Sequence, residues 1–385
     1  MKRKIRIALV LYTEGIDYDD RIRKEILSIC KYFENVSFKI FAVEPKNKEE
    51  QGLTSYGVEY RIPFLTSREK YPSGTHTLKK TLDFYKVIRG ELKEFDIIWC
   101  ADLETFPFVF FNYGKPLIWD LHELPTFFSG NFIFRRFFRY LCSKCDIIVH
   151  ANEARLEVLK KMKMIGSTDK HYVLRNYPQF NEIDKEYDDL YSRFIEWKGS
   201  DDCVYLQGLS EPTRAPFETV DSVLQSNNLK AVLVGYFDKS ARDALVSKYG
   251  EAHYNQFIFE TGRIKQIKTP QYIRQCKFSM IFYKNTCDNN YYCEANRLYQ
   301  SVVNGLPVIV GSNPPMKDLV QKYNVGIALN TDGSNIEEIK NAISDILANY
   351  QKFVNNTGVA SANLLWSSQD DIIKSFTNKI ISKIR

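Results

Sequence analysis

The run Trp119-Asp120-Leu121-His122-Glu123-Leu124-Pro125 sets a histidine and a glutamate directly behind a short apolar stretch. An imidazole there exchanges protons near neutral pH, which suits general-base work or the holding of an acceptor hydroxyl; the plainer alternative is a structural histidine. His150, followed by Asn152 and Glu153, stands in the same relation to a later apolar run. A second stretch, Gly208-Leu209-Ser210-Glu211-Pro212-Thr213-Arg214, puts a guanidinium on a loop ahead of a helix. From there it could reach a diphosphate and stabilise a departing nucleotide. Gly235 and Gly262 close later apolar runs, where a glycine either lets backbone approach a ligand or simply turns the chain. The most informative stretch runs from Asn289 through Glu294, Asn296, Arg297, Tyr299 and Gln300 to Gly305 and Pro307, a helix closed by glycine and a strand opened by proline.

The loop after the first apolar run contains Gly15, Asp17, Asp19, Arg21 and Glu25. With a single glycine it lacks the G-x-G-x-x-G fingerprint, which argues against a dinucleotide-binding domain. Asp17 and Asp19 spell the D-x-D pattern of nucleotide-sugar metal sites, but acidic residues directly ahead of a helix more often cap it, and no metal is expected. Arg21 and Glu25, four apart, read as a surface ion pair. The eight cysteines are scattered through apolar contexts, and only Cys142 and Cys145 have metal-ligand spacing, without a second pair, so reduced thiols are expected. A net charge of +6 suggests a mild preference for anions. Nucleic acid would need a denser basic stripe, which leaves phosphate-bearing small molecules or anionic headgroups. Residues 127–140 interleave aromatics with arginines and read either as a membrane-interface element or as a core helix with a basic outer face.

Elements must position these groups. The chain has 385 residues, 44% of them apolar, enough for two domains with real cores. No apolar run approaches the roughly 20 residues that cross a bilayer, and the apolar stretch 5–12 leads into acidic sequence without a cleavage site, so a cytoplasmic protein is expected. Continuous apolar runs alternate with helix-period segments. The strands are expected at 5–12, 36–43, 96–100, 116–120, 146–150 and 172–174, then at 203–207, 230–234, 256–259, 277–282, 306–310 and 326–329. Residues 44–75 read as long loops around one minor strand, and 334–385 as helical with a polar break at 355–358. The pattern predicts an α/β chain of two Rossmann-like, doubly wound parallel-sheet domains facing across a cleft. The expected boundaries are 1–178 for the first domain, 179–202 for a linker, 203–365 for the second domain, and 366–385 for a terminal helix packing back on the first. Ligands of such sheets bind outside the carboxyl ends of the strands.

Asn296, Arg297, Leu298, Tyr299, Gly305 and Pro307 match in order the donor-site helix and following strand of two-domain GT-B glycosyltransferases of the retaining family-4 type, which the chain resembles. The likeness continues in Asp19, Arg21, Ile22, Lys24 and Glu25, in Ala101-Asp102-Leu103, in Trp119 to Glu123, and in the hinge-like Arg175-Asn176-Tyr177-Pro178, so that it spans the chain. The resemblance implies donor binding in the C-terminal domain, acceptor binding in the N-terminal domain, and no obligatory metal or cofactor. It implies that Arg214 takes the place of a phosphate-binding lysine and that Arg297 adds positive charge. Gly262, Arg263 and Ile264 would lie beside the base, with Gly208, Gly235, Asn296, Tyr299 and Gln300 completing the donor site. His122 would stand near the acceptor and the transferred sugar, and acceptor contacts fall to Gly15, Asp17, Arg21 and Glu123. The implied partners are a nucleotide sugar and a glycan or lipid-linked acceptor. Two positions depart from the pattern: Gln300 stands where relatives carry a ribose-holding glutamate, and Leu209 where they often carry an arginine. A GT-B-fold epimerase and a non-catalytic sugar-binding or scaffold subunit are the alternatives.

Overall fold

The computed structural model describes residues 3–12, 16, 19–44, 46–112, 114–166, 169–179, 188–226 and 229–384. The chain divides into two compact units, Met1–Asn176 with Gln369–Arg385, and Tyr177–Ser368.

In the first unit the apolar runs form β1 (Ile5–Val10), β2 (Val36–Phe41), β3 (Glu50–Leu53), β4 (Glu59–Ile62), β5 (Ile97–Ala101), β6 (Leu117–Leu121), β7 (Ile147–His150) and β8 (His171–Val173). They make one sheet in the order β3-β4-β2-β1-β5-β6-β7-β8, parallel except for the β3–β4 pair. The central strands are apolar at almost every position because helices cover both faces. Residues 44–75 hold two strands rather than one, together with the short helix Thr66–Lys70. β3 was not legible because it is an exposed edge strand with no apolar face to bury.

Helix Asp20–Tyr32 starts at Asp19, whose carboxylate accepts the Ile22 N–H at 3.2 Å. Its buried face carries Arg21, Lys24 and Glu25 beside Ile22, Ile26 and Ile29. The Arg21–Glu25 pair is therefore buried, not on the surface. Helix Asp370–Ile381 closes the unit, with Phe376 edge-on to Trp99. The Gln369 amide ahead of it brackets Arg175, accepting from its N–H and donating to its carbonyl, as a neighbouring strand would.

The second unit contains β9 (Asp202–Gln207), β10 (Leu229–Val234), β11 (Ile258–Gly262), β12 (Phe278–Ile281), β13 (Val308–Val310) and β14 (Gly326–Ala328). All are parallel, in the order β11-β10-β9-β12-β13-β14. Within 179–202 the structure has a helix, Asp189–Lys198, capped by Asp188 and anchored by Tyr191 and Phe194 in a cluster with Tyr205 and Tyr272. The polar stretch 355–358 does not break a helix but lies inside Tyr350–Ser361. Asn355 and Gly358 face solvent while Thr357 turns inward and bonds Val354, so polarity there marks the outer face.

Both sheets reverse direction beside their first strand: β1 lies between β2 and β5, and β9 between β10 and β12. Such switch points leave a crevice outside the carboxyl ends of the strands.

Candidate functional site

In the second unit the switch point is occupied by two arginines. Arg297, near the start of helix Asn296–Val303, donates through Nη1 to the Gln207 carbonyl and, at 3.2 Å, to that of Gly208, both at the end of β9. Its Nη2 lies 3.5 Å from the Phe282 carbonyl behind β12. Arg214, from the short turn Pro212–Arg214, reaches the same Gly208 carbonyl at 3.0 Å. Both guanidiniums lie over the Tyr283 ring, at 5.4 and 5.1 Å. Gly208 has φ +71°, and a Cβ on it would lie 2.5 Å from Arg297 and 2.9 Å from Arg214, so only glycine allows this convergence.

The pair is short of negative charge. The carboxylate paired with Arg214 is that of Glu211, at 3.8 Å, and among the described residues neither Nε has a hydrogen-bond partner. Burial, together with the Arg214 cation, shifts Arg297 downward, an unusual direction for an arginine. Two cations held by carbonyls and a ring, with one distant carboxylate between them, form a site suited to an anion. The helix Pro216–Leu224 begins just beyond at Ala215, which offers no side-chain cap to the first amides.

The other expected donor residues divide. Gly235 and Gly262 are brought together, the Gly235 N–H donating to the Gly262 carbonyl at 2.9 Å, with Arg263 exposed and Ile264 half-buried beyond them. Asn296 is exposed at the first turn of its helix and Gln300 is half-buried. Tyr299 is 1% exposed and packs edge-on against Tyr177, so it secures the helix from the core side and does not face a ligand.

In the first unit His122 stands just past β6 between two carboxylates. Nδ1 is 3.0 Å from Asp102 and Nε2 is 3.0 Å from Asp120. Burial alone would lower its pKa, but the two carboxylates and their hydrogen bonds outweigh it and hold His122 well above its usual value. With a carboxylate at each ring nitrogen the geometry favours the protonated ring, which suits His122 to donating hydrogen bonds more than to taking up a proton. Asp120, fully buried, is in turn gripped by Arg21 Nη2 at 2.9 Å and Nε at 3.3 Å. Despite burial, Arg21 and His122 keep it ionised, well below the usual carboxylate range. Burial and the Asp120 charge push Glu25 upward, while the Arg21 guanidinium 3.1 Å away opposes that shift. Arg21 also donates to the Leu174 carbonyl at 2.6 Å, and Arg155 to that of His122. Arg21 therefore orients Asp120 from within the core. Glu123 is exposed beside the histidine; Gly15 and Asp17 lie outside the described residues.

Sequence reasoning left Asp102 and Asp120 out of the candidate site. A carboxylate inside the apolar run Leu117–Leu121 was the available signal, because a buried charge requires partners. Asp102 carries a second mark that sequence does not reveal. At φ 67°, ψ 164° its backbone occupies a region almost restricted to glycine. It is pinned there by its own N–H to the Asp120 carbonyl (2.8 Å) and by Trp119 Nε1 (3.1 Å) and Thr105 Oγ1 (2.7 Å) donating to its carbonyl. His150, by contrast, is a core residue stacked on His171, with Nε2 2.8 Å from its Nδ1. Burial, and then the neighbouring His171, lowers His150 to about 3; burial, and then the Lys170 charge, lowers His171 to about 4.

Among the described residues no group of three or more His, Cys, Asp or Glu is placed to hold a metal ion, and no helix is long and apolar enough to cross a membrane. Cys142 and Cys145 are buried free thiols, and burial raises both.

No family model and no curated protein matches the sequence. Solved structures do. A sucrose-phosphate synthase from Thermosynechococcus elongatus aligns with a TM-score of 0.78 at 12% identity, over 98% of this chain and 100% of the other. HepE of Anabaena, in complex with UDP-glucose, gives 0.68 at 14% identity over 97% and 99%. A Listeria monocytogenes protein assigned as a UDP-N-acetylglucosamine 2-epimerase gives 0.68 at 13% identity over 99% and 98%. The chain has the GT-B fold, as its sequence resemblance implies.

Proposed function

We propose that the protein is a glycosyltransferase moving a sugar from a nucleotide-diphosphate-sugar to a glycan or lipid-linked saccharide, with retention, in cell-surface polysaccharide or glycoconjugate assembly at the cytoplasmic face of the membrane. The observation that carries this is the Arg214–Arg297 pair at the β9–β12 switch point, two guanidiniums sharing one carbonyl. A diphosphate supplies the missing negative charge, and the same cations stabilise it as it leaves. The second unit (177–368) is the donor domain, with Gly235, Gly262 and Arg263 beside the nucleoside and Asn296 and Gln300 at the helix start. Gln300 can hydrogen-bond a ribose hydroxyl without bringing a charge.

The first unit binds the acceptor. Because both His122 nitrogens face carboxylates, the groups placed to accept hydroxyl hydrogen bonds are the Asp102 carboxylate, whose side chain is 26% exposed, and the exposed Glu123. The reaction then relies on positioning and on charge at the leaving group, without protein nucleophile chemistry.

A thermal-shift screen of the purified chain against UDP, GDP, CMP, ADP and their sugars, without added metal, tests the reading, since a ligand of the folded state alone must raise its melting temperature. One nucleotide diphosphate should stabilise the protein, and Arg214→Ala should abolish the shift. No shift at millimolar concentration would favour a non-catalytic scaffold. The Listeria match supports an epimerase as the second reading; product formation without acceptor would select it.

A further inference from the structure

We infer that the outer face of helix Phe132–Lys144, with the turn before it, is a docking surface for a bilayer bearing anionic headgroups. The helix begins at Asn131, whose side chain accepts the Ile133 N–H at 2.8 Å. It buries Phe138, Leu141 and Cys142 against the first unit. At about 100° per residue, Phe132, Ile133, Arg136, Arg139, Tyr140 and Ser143 share an arc of about 120° on the opposite side. A globular helix normally shows charged and polar residues there, as helix Lys239–Tyr249 does with Lys239 and Asp243. Here Phe132 and Ile133 are each 70% exposed, and Phe127, exposed as well, stacks on Phe134 at 5.3 Å.

Phe127, Phe132, Ile133, Phe134 and Tyr140 together make a third of the exposed large apolar side chains of the described residues, so the patch is a concentration and not the usual scatter. Its charge is one-sided. No Asp or Glu occurs from Thr126 to Cys145, while Arg135, Arg136, Arg139 and Lys144 do. Arg135 is tied to the Ser129 carbonyl and Lys144 sits over the Phe110 and Tyr140 rings, which leaves Arg136 and Arg139 facing outward with the aromatics.

The occupant must therefore accept aromatic and aliphatic side chains and carry negative charge across the same plane. A second copy meeting this face by a two-fold axis would set arginine against arginine. An anionic bilayer meets both demands, with the rings at headgroup level and the guanidiniums on phosphates. At 13 residues the helix is about 20 Å long, too short to cross and suited to lying in the interface. This inference rests on the surface alone and does not depend on the sugar-transfer reading.

Flotation of the full chain with vesicles of phosphatidylcholine alone, or with about 30% phosphatidylglycerol, tests it. Wild type should partition at least about tenfold more strongly onto the anionic vesicles. Phe132→Ser with Ile133→Ser, and separately Arg136→Glu with Arg139→Glu, should each lose at least about tenfold. Lys239→Glu with Lys352→Glu, the same charge change on exposed positions of the second unit, should stay within about twofold. Because all six positions are exposed, unchanged melting curves will confirm folding. Failure of wild type to float, or equal loss in the Lys239/Lys352 control, overturns the proposal. So does a dimer in sedimentation that Phe132→Ser with Ile133→Ser converts to monomer. Nucleotide binding, measured on the same samples, reports on the donor site independently.

Discussion

Gly208→Ala separates the paired-arginine reading from a general effect on folding. The new methyl would begin 2.5 Å from Arg297 Nη1 and 2.9 Å from Arg214 Nη1, so both guanidiniums must retreat by about 0.5–1 Å from a site that needs them together. A charge-assisted hydrogen bond is worth about 1.5–3 kcal/mol, and weakening one from each arginine removes roughly 3 kcal/mol of phosphate binding. At 1.4 kcal/mol per tenfold, that is about 100-fold in Kd for the nucleoside diphosphate identified by the thermal-shift screen, read by isothermal calorimetry. The left-handed backbone adds about 1–2 kcal/mol of destabilisation, a few degrees in Tm. Gly250→Ala is the matched control. Its φ is +84° and nothing lies within 4 Å of the added carbon, so it bears the backbone cost without moving an arginine. If folded Gly208→Ala binds the nucleotide within about twofold of wild type, the arginine pair is not the phosphate site. If Gly250→Ala loses as much affinity as Gly208→Ala, the loss is not local.

His122 should show both ring nitrogens protonated by NMR at pH 7.5, and Asp102→Asn should lower its pKa by removing one flanking charge; a neutral wild-type ring would refute the imidazolium assignment. Its folded pKa is raised, so the stability it contributes is complete below about pH 6.5 and is lost as pH climbs through the folded value. His150 and His171, lowered to about 3 and about 4, act oppositely: their contribution is present above pH 6.5 and lost on acidification. The stability of the first unit should therefore peak near neutrality, and a flat profile from pH 5 to 9 in chemical denaturation would contradict both assignments. Arg21→Ala strands the buried Asp120 charge and should cost about 3–5 kcal/mol, most of it recovered when Asp120→Asn is added; simple additivity would mean the two are not coupled. Gly326→Ala places a carbon 1.8 Å from the Val308 carbonyl and should detach β14, lowering Tm well beyond the Gly250→Ala control.

The central strands of both sheets were legible because a strand covered on both faces must be apolar throughout, and little else in the chain has that texture. β3, as an exposed edge, imposes no such demand, and helix Asp189–Lys198 follows the acidic stretch 182–188, so its start does not stand out. The candidate site was legible in kind but not in wiring. Arg214 and Arg297 are 83 residues apart, and nothing local in the sequence says that both end on the carbonyl of Gly208; that follows from β9 and β12 being neighbours at the point where the strand order reverses. The histidine shows the same limit more sharply. His122 at a strand end suggests a base, yet its chemistry is set by Asp102 just past β5 and Asp120 in β6, strands that neighbour each other in the sheet although the two residues are 18 apart in the chain. The backbone of Asp102 is held in a glycine-like conformation by three hydrogen bonds, and a strained residue so thoroughly pinned keeps one rotamer directed at His122. Residue type thus indicates where chemistry can occur, and the sheet topology decides which proton state the group is in when it occurs.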